Sequence, residues 1–228
     1  MHGSGDAGTL EVCLGDDDIA ANFNFGESSS TRLSPDTYAL EIFNYPAGCV
    51  GDSLSPAPNT TGSLEAGERY LMLVTGEVTP DAGEAGIQIA TFDDAFGLDD
   101  GLQDRVRFVH GASYSQVFVG VLEGNSIPEP NQLTAPIGWS VESVEVAVPG
   151  GEYVLGIADA AGGTFSFPAP PLVTLPYSAV GGGRLWAIVA GDPSPDDSED
   201  GPLQALVVDT TTPEWTVATL DLDAPSPG

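Results

Sequence analysis

Apolar and polar positions alternate along this chain in short bursts. Val144, Val146 and Val148 alternate with Glu145 and Ala147, the period of a half-buried strand. Val117-Phe118-Val119-Gly120-Val121 and Leu71-Met72-Leu73-Val74 are brief apolar runs bounded by turn formers, as strands are. No long window repeats its apolar residues at helical spacing. The 29 Gly and 19 Pro interrupt the chain every few residues, and both are costly inside helices. The pattern predicts strands near 9–14, 19–25, 37–43, 69–75 and 86–92, and again near 105–110, 116–122, 141–148, 152–158, 172–175, 184–190, 203–209 and 215–220. Strands at this spacing imply an all-β sandwich or barrel.

The pattern also repeats. Tyr38-Ala39-Leu40-Glu41-Ile42 reads like Tyr153-Val154-Leu155-Gly156-Ile157, 115 positions later. Gly67-Glu68-Arg69-Tyr70-Leu71 reads like Gly182-Gly183-Arg184-Leu185-Trp186 at the same offset, and Ile87-Gln88-Ile89-Ala90 matches Leu203-Gln204-Ala205-Leu206 at 116. Copies of this length are tandem domains; solenoid repeats run to roughly 20–50 residues. The expectation is two tandem immunoglobulin-like antiparallel β-sandwiches: copy one over 8–96, an acidic connector over 97–104, copy two over 105–220. Aligning Leu10-Glu11-Val12-Cys13-Leu14 with Val106-Arg107-Phe108-Val109-His110 gives an offset of only 96. Copy two would then hold about 19 extra residues near Glu123 to Trp139, a dispensable insertion whose removal over 127–138 the domain should survive.

Charge narrows the partners. Five Arg, no Lys and 34 acidic residues give a net charge of −29. Nucleic acid and anionic membrane surfaces are poor partners for such a chain. Solubility, metal cations or basic partners are the readings left. No apolar run reaches the roughly 18 residues a membrane span needs, so no direct membrane insertion is expected. Met1-His2-Gly3-Ser4-Gly5 reads as an extraneous leader before a mature domain. Cys13 and Cys49 lie in one copy and are expected to form a disulfide, which implies an oxidising compartment.

Arg105-Val106-Arg107-Phe108-Val109-His110-Gly111-Ala112-Ser113, Pro149-Gly150-Gly151-Glu152-Tyr153-Val154-Leu155 and Gly183-Arg184-Leu185-Trp186-Ala187-Ile188-Val189-Ala190-Gly191 together resemble a bacterial domain family of unknown function, family 4397 (DUF4397). The resemblance covers most of copy two. It implies a secreted or cell-surface protein, often with domains in tandem, and carries over no catalytic residues. Copy one reads as diverged, with Cys13 and Leu14 where the family has its Val-His pair.

Candidate chemistry is sparse. His110 beside Ser113 is the one pair that could act as base and nucleophile, and a strand-end structural role is the stronger reading; no enzyme is expected. Asp196, Ser198 and Asp200 share the alternating-oxygen spacing of a calcium loop, followed by Gly201. The twelfth position of such a loop falls on Val207 instead of a glutamate, so calcium is a candidate cofactor only. Trp139 and Tyr114 are candidate ligand-stacking residues for a glycan. Arg69 and Arg184 occupy matching positions and read as part of the fold. The functional expectation is a non-catalytic, adhesin-like interaction or structural module, extracellular or on the cell surface, with an unknown protein or glycan partner. The alternative is a calcium- or carbohydrate-binding accessory module of a larger extracellular assembly.

Overall fold

The computed structural model describes residues 1–56, 59–80, 86–97, 101–112, 116–160, 167–191 and 203–222. Regular structure among them is nearly all strand; the one helical piece is the 3-10 turn Glu129–Asn131. The chain divides into two compact units. The first comprises Met1–Asp94, Gly111–Ser113 and Ala190–Pro202; the second comprises Ala95–His110, Tyr114–Val189 and Leu203–Gly228.

In the first unit, β1 (Leu10–Leu14), β2 (Asp17–Phe23), β3 (Thr37–Asn44) and β4 (Asn59–Ser63) form an antiparallel sheet in the order β2-β1-β3-β4. β5 (Tyr70–Thr75) and β6 (Gln88–Asp93) form an antiparallel pair. Leu10, Val12, Leu40 and Ile42 of the larger sheet meet Val74, Ile87 and Ile89 in one apolar cluster. Alternate residues of each strand supply it, because successive side chains of a strand point to opposite faces. β4 was not among the predicted strands. Its sequence Asn-Thr-Thr-Gly-Ser has no apolar period, and it joins the sheet through backbone pairing to β3.

The second unit contains β7 (Gln103–His110), β8 (Gln116–Val121), β9 (Ile137–Gly138), β10 (Val141–Glu142), β11 (Val146–Pro149), β12 (Gly151–Asp159), β13 (Val173–Ala179), β14 (Arg184–Ala190), β15 (Gln204–Asp209) and β16 (Thr216–Asp221). One sheet runs β10-β7-β14-β15-β16, with β11 also on β7; another runs β13-β12-β8-β9. β7 and β14 pair in parallel. The single strand expected over 141–148 is broken between β10 and β11. There Ser143 replaces a ladder residue, its N–H donating to Phe108 O and its Oγ accepting from Phe108 N–H. Val144 is left 79% exposed.

Strand registers correct the sequence alignment of the two copies. His2 bridges Val74 in parallel, and His110 pairs with Val189 in parallel; Val74 and Val189 are 115 positions apart. Met1-His2-Gly3 therefore stands where Val109-His110-Gly111 stands, and the histidine is present in both copies. Met1 and His2 are buried, Val74 N–H donates to Met1 O, and Gly3 N–H donates to Val74 O. The opening residues, expected to stand apart from the domain, are packed into the first unit. Val12 lies opposite Ile42 as Val119 lies opposite Ile157, so β1 corresponds to β8 at an offset of 107 and not to β7. Gly26 N–H donates to His2 O as Ser140 N–H donates to His110 O, and both donors have positive φ, +81° and +58°. That fixes an offset of 114 beyond the excess. The extra length of copy two is thus seven residues at this point, all of it between β8 and Ser140.

The excess residues close a sheet face. On β8 and β12, Gly120 lies opposite Gly156, and Ile127 packs over both. A Cβ at Gly120 would collide with Ile127 Cγ2, and one at Gly156 with Leu122 Cδ1 and, at 3.0 Å, with Ile127 Cδ1. Phe118, Ile127, Ala158, Ala160 and Ala169 form a separate buried cluster there. In copy one the residues at these positions are Glu11 and Cys13 on β1, with Glu41 and Phe43 on β3. The Cys13–Cys49 disulfide, with Cα atoms 5.7 Å apart, packs there with Phe43. One face is sealed by an apolar plug in copy two and by a covalent bond in copy one.

Candidate functional site

The histidines come first, because a base would have to be one of them. Both have no exposed surface. His2 Nε2 lies 3.0 Å from Gly8 O, and its Nδ1 accepts from Ser4 N–H, which places the proton on Nε2. Phe23 and Phe25 meet the ring edge-on. His110 ends β7, between Val189 of β14 and Val141 of β10. Ser113, the nucleophile proposed for it, lies outside the described residues. Repetition of a buried histidine at one strand end in both copies marks it as a piece of the fold.

Burial, opposed by the hydrogen bond to Gly8 O, lowers the His2 pKa below its ordinary value; burial also lowers the Met1 amine from 8.0 to about 5. Each group holds its proton less readily in the fold than in the unfolded chain, the Met1 amine between about 5 and 8.0 and His2 below its ordinary 6.5. The unfolded chain then binds more protons, so stability rises with pH. Melting temperature is expected to climb between pH 5.5 and 7.5. His2→Gln should flatten part of that climb, and an unchanged slope in the variant would assign it to other groups.

The most enclosed carboxylate is Asp104, on β7 and 1% exposed. It accepts from Tyr177 Oη at 2.7 Å and from the N–H groups of Gly181 and Gly183, each at 2.9 Å. A Cβ at Gly183 would come within 2.8 Å of Asp104 Oδ1, so glycine admits the contact. Burial and then the Asp104 carboxylate push the Tyr177 phenol above its ordinary range. With three donors satisfied, Asp104 holds the turn before β14 in place; this is anchoring chemistry.

Three of the five arginines, Arg69, Arg105 and Arg107, are likewise built in, while Arg32 is exposed. Arg107 stacks on Phe96 at 4.9 Å and on Trp186 at 5.3 Å, pairs with Glu142 at 3.2 Å and donates to Ala95 O. Gly97 N–H donates to Glu145 Oε2 at 2.6 Å, and Arg105 pairs with Glu145. The stretch from Ala95 to Gly97, expected to be part copy one and part connector, is thereby fastened onto the second unit. On the first unit, Arg69 pairs with Asp94 at 2.5 Å. Asp94 N–H donates to Arg69 O as Thr210 N–H donates to Arg184 O, so the matched arginines occupy matched backbone sites.

Trp139 is half-buried between β9 and β10, and its indole Nε1 is shielded with no hydrogen-bond partner. It stands 114 positions after Phe25, which packs on His2. Tyr114 and the calcium candidates Asp196, Ser198 and Asp200 lie outside the described residues. Among the described residues one group brings metal-type ligands together: Glu11, Cys13 and Cys49, within 4.8 Å of one another. Both sulfurs are spent on the disulfide, and Glu11, 2% exposed, accepts from Cys49 N–H at 3.0 Å. Sequence reasoning missed Glu11 because a glutamate in a strand reads as solvent-facing. The signal was its place two residues before a cysteine, which puts both on one face.

No protein-family profile matches the chain, and no curated protein matches it.

Proposed function

We propose that the chain is a non-catalytic module, exported to the cell surface or the medium, that acts by presenting the surfaces of rigid β units to a partner. The Cys13–Cys49 disulfide carries this reading. It closes a sheet face that copy two closes with apolar side chains, so the first unit relies on a bond that persists only in oxidising compartments. The likeness of copy two to DUF4397 domains points the same way. The charge of −29 keeps such a module soluble and steers it toward neutral or basic partners. Enclosure of both histidines and of Asp104 fits a scaffold whose polar interior is devoted to holding turns.

Fractionation of producing cells, with alkylation before lysis, tests the proposal. The chain is expected in the medium or on the surface, unlabelled at Cys13 and Cys49. Recovery from the cell interior with both thiols alkylated would sink it.

A further inference from the structure

We propose that Glu11, Cys13 and Cys49 form a zinc site whenever the two cysteines are thiols. One sheet face of the first unit is then held by a disulfide in the oxidised chain and by a metal ion in the reduced one. Export is tested by where the chain is found and this site by what the reduced chain binds, so either can fail alone.

The group that calls for a role is the Glu11 carboxylate. It is 2% exposed, and burying a carboxylate with few partners is costly. Its Oε1 accepts from Cys49 N–H at 3.0 Å, and among the described residues no other hydrogen bond or ion pair reaches it. The fold does not require an acid at this position. The offset of 107 that matches Val12 to Val119 sets Glu11 against Phe118 and Cys13 against Gly120. Copy two covers its face with apolar side chains, whereas copy one places a carboxylate and two sulfurs there. Glu11 and Cys13 share a face because they stand two apart on β1, and the loop after β3 brings Cys49 to them.

The spacing and the chemistry of these ligands fit one ion. The carboxylate oxygen and both sulfurs lie within 4.8 Å of one another. Zinc binds thiolate at about 2.3 Å and carboxylate at about 2.0–2.2 Å, so a tetrahedral ion holds such atoms roughly 3.5–3.8 Å apart. The Cα atoms of the cysteines are 5.7 Å apart, and rotation of the two side chains parts the sulfurs to that spacing. Two thiolates select zinc over calcium or magnesium, which take oxygen ligands. Zinc has no redox chemistry of its own and leaves the thiolates reduced. Water takes the fourth position.

The exchange between the two states balances. A dithiol supplies the two electrons and two protons that turn the disulfide into two thiols, and is itself left as a disulfide. Zinc then displaces both thiol protons to solvent.

Titration of the phosphine-reduced full chain with zinc, and with cobalt(II) as its coloured stand-in, is the test. A phosphine is used because a dithiol would compete for the metal. One tightly held ion per chain is expected, with a thiolate-to-cobalt absorption that the carboxylates of an acidic surface cannot give. The oxidised chain should lack that absorption, and urea should abolish tight binding, since Cys49 reaches Glu11 and Cys13 only in the fold. Glu11→Gln should weaken zinc binding by roughly tenfold or more, because an amide still accepts from Cys49 N–H but is a poor ligand. Cys49→Ser is the second variant should reduced Glu11→Gln fail to fold, and its loss should be at least as large. Cobalt bound without the thiolate absorption, binding unchanged in urea, or a zinc affinity indifferent to both variants overturns the proposal.

Discussion

Excising residues 127–138 is expected to unfold the second unit. The segment looks expendable when the copies are aligned by sequence, but three kinds of contact hold it. Ile127 is wholly buried over Gly120 and Gly156 and exchanges backbone hydrogen bonds with Ala169. Val119 O accepts from Leu133 and Thr134, and Val119 N–H donates to Thr134 Oγ1, so the excised residues also satisfy the outer side of β8. β9 would be lost with them. Truncation of the plug alone, by Ile127→Ala, should cost about 2–5 kcal/mol. Removing the whole segment adds unpaired backbone and a bare apolar face, against a typical domain stability of about 5–15 kcal/mol. The readout is clean, because Trp139, Trp186 and Trp215 all belong to the second unit. Urea unfolding followed by tryptophan emission should show a lower midpoint for Ile127→Ala and no cooperative transition for the deletion. Retention of a wild-type midpoint in either would mean that the plug is an ornament on a face already closed.

Opening the disulfide should strike the first unit with comparable force. The bond spans 36 positions, and closing a loop of this length stabilises by roughly 4 kcal/mol in the chain-entropy model. Reduction also frees Cys49, held at φ +60° in the left-handed region that favours glycine, and releases the backbone N–H that Glu11 accepts. A buried carboxylate stripped of its donor is costly. Hydrogen exchange before and after phosphine reduction is expected to show lost protection in β1 and β3. Glu11→Gln in the oxidised protein should lose far less, since an amide can still accept from Cys49 N–H. Undiminished protection after reduction would show that packing of Phe43 and Ala47 alone seals this face.

Much of the fold was legible because most of its strands bury one face and so announce themselves by period. β3, β5, β6, β12, β14 and β15 fall where alternation and short apolar runs place them. β4 escaped because its polar residues contribute backbone pairing and little apolar surface. The deeper error was one of register. Leu10-Glu11-Val12-Cys13-Leu14 resembles Val106-Arg107-Phe108-Val109-His110 in composition, yet the two runs sit in different sheets. The true partner of the second run is the tripeptide Met1-His2-Gly3, too short for any periodic signal and recognisable only by which valine it pairs with. The candidate site was legible to a lesser degree. The cysteine pair declared itself through shared location, but the roles of Glu11, Asp104 and Arg107 depend on neighbours 35 to 79 positions away. A charged residue in an alternating strand reads the same whether it faces water or three buried donors.

The disulfide has a further consequence for a chain that is pulled. With Cys13 bonded to Cys49, the 36 residue steps between them cannot contribute to extension, which withholds roughly 120 Å of contour length at full stretch. Tension applied along the chain would bypass β2 and β3 and load the rest of the first unit. No such bond interrupts copy two, whose plug would yield with the sheet it covers. The two units therefore differ in compliance, one limited by a covalent stop and the other with no disulfide to limit its extension.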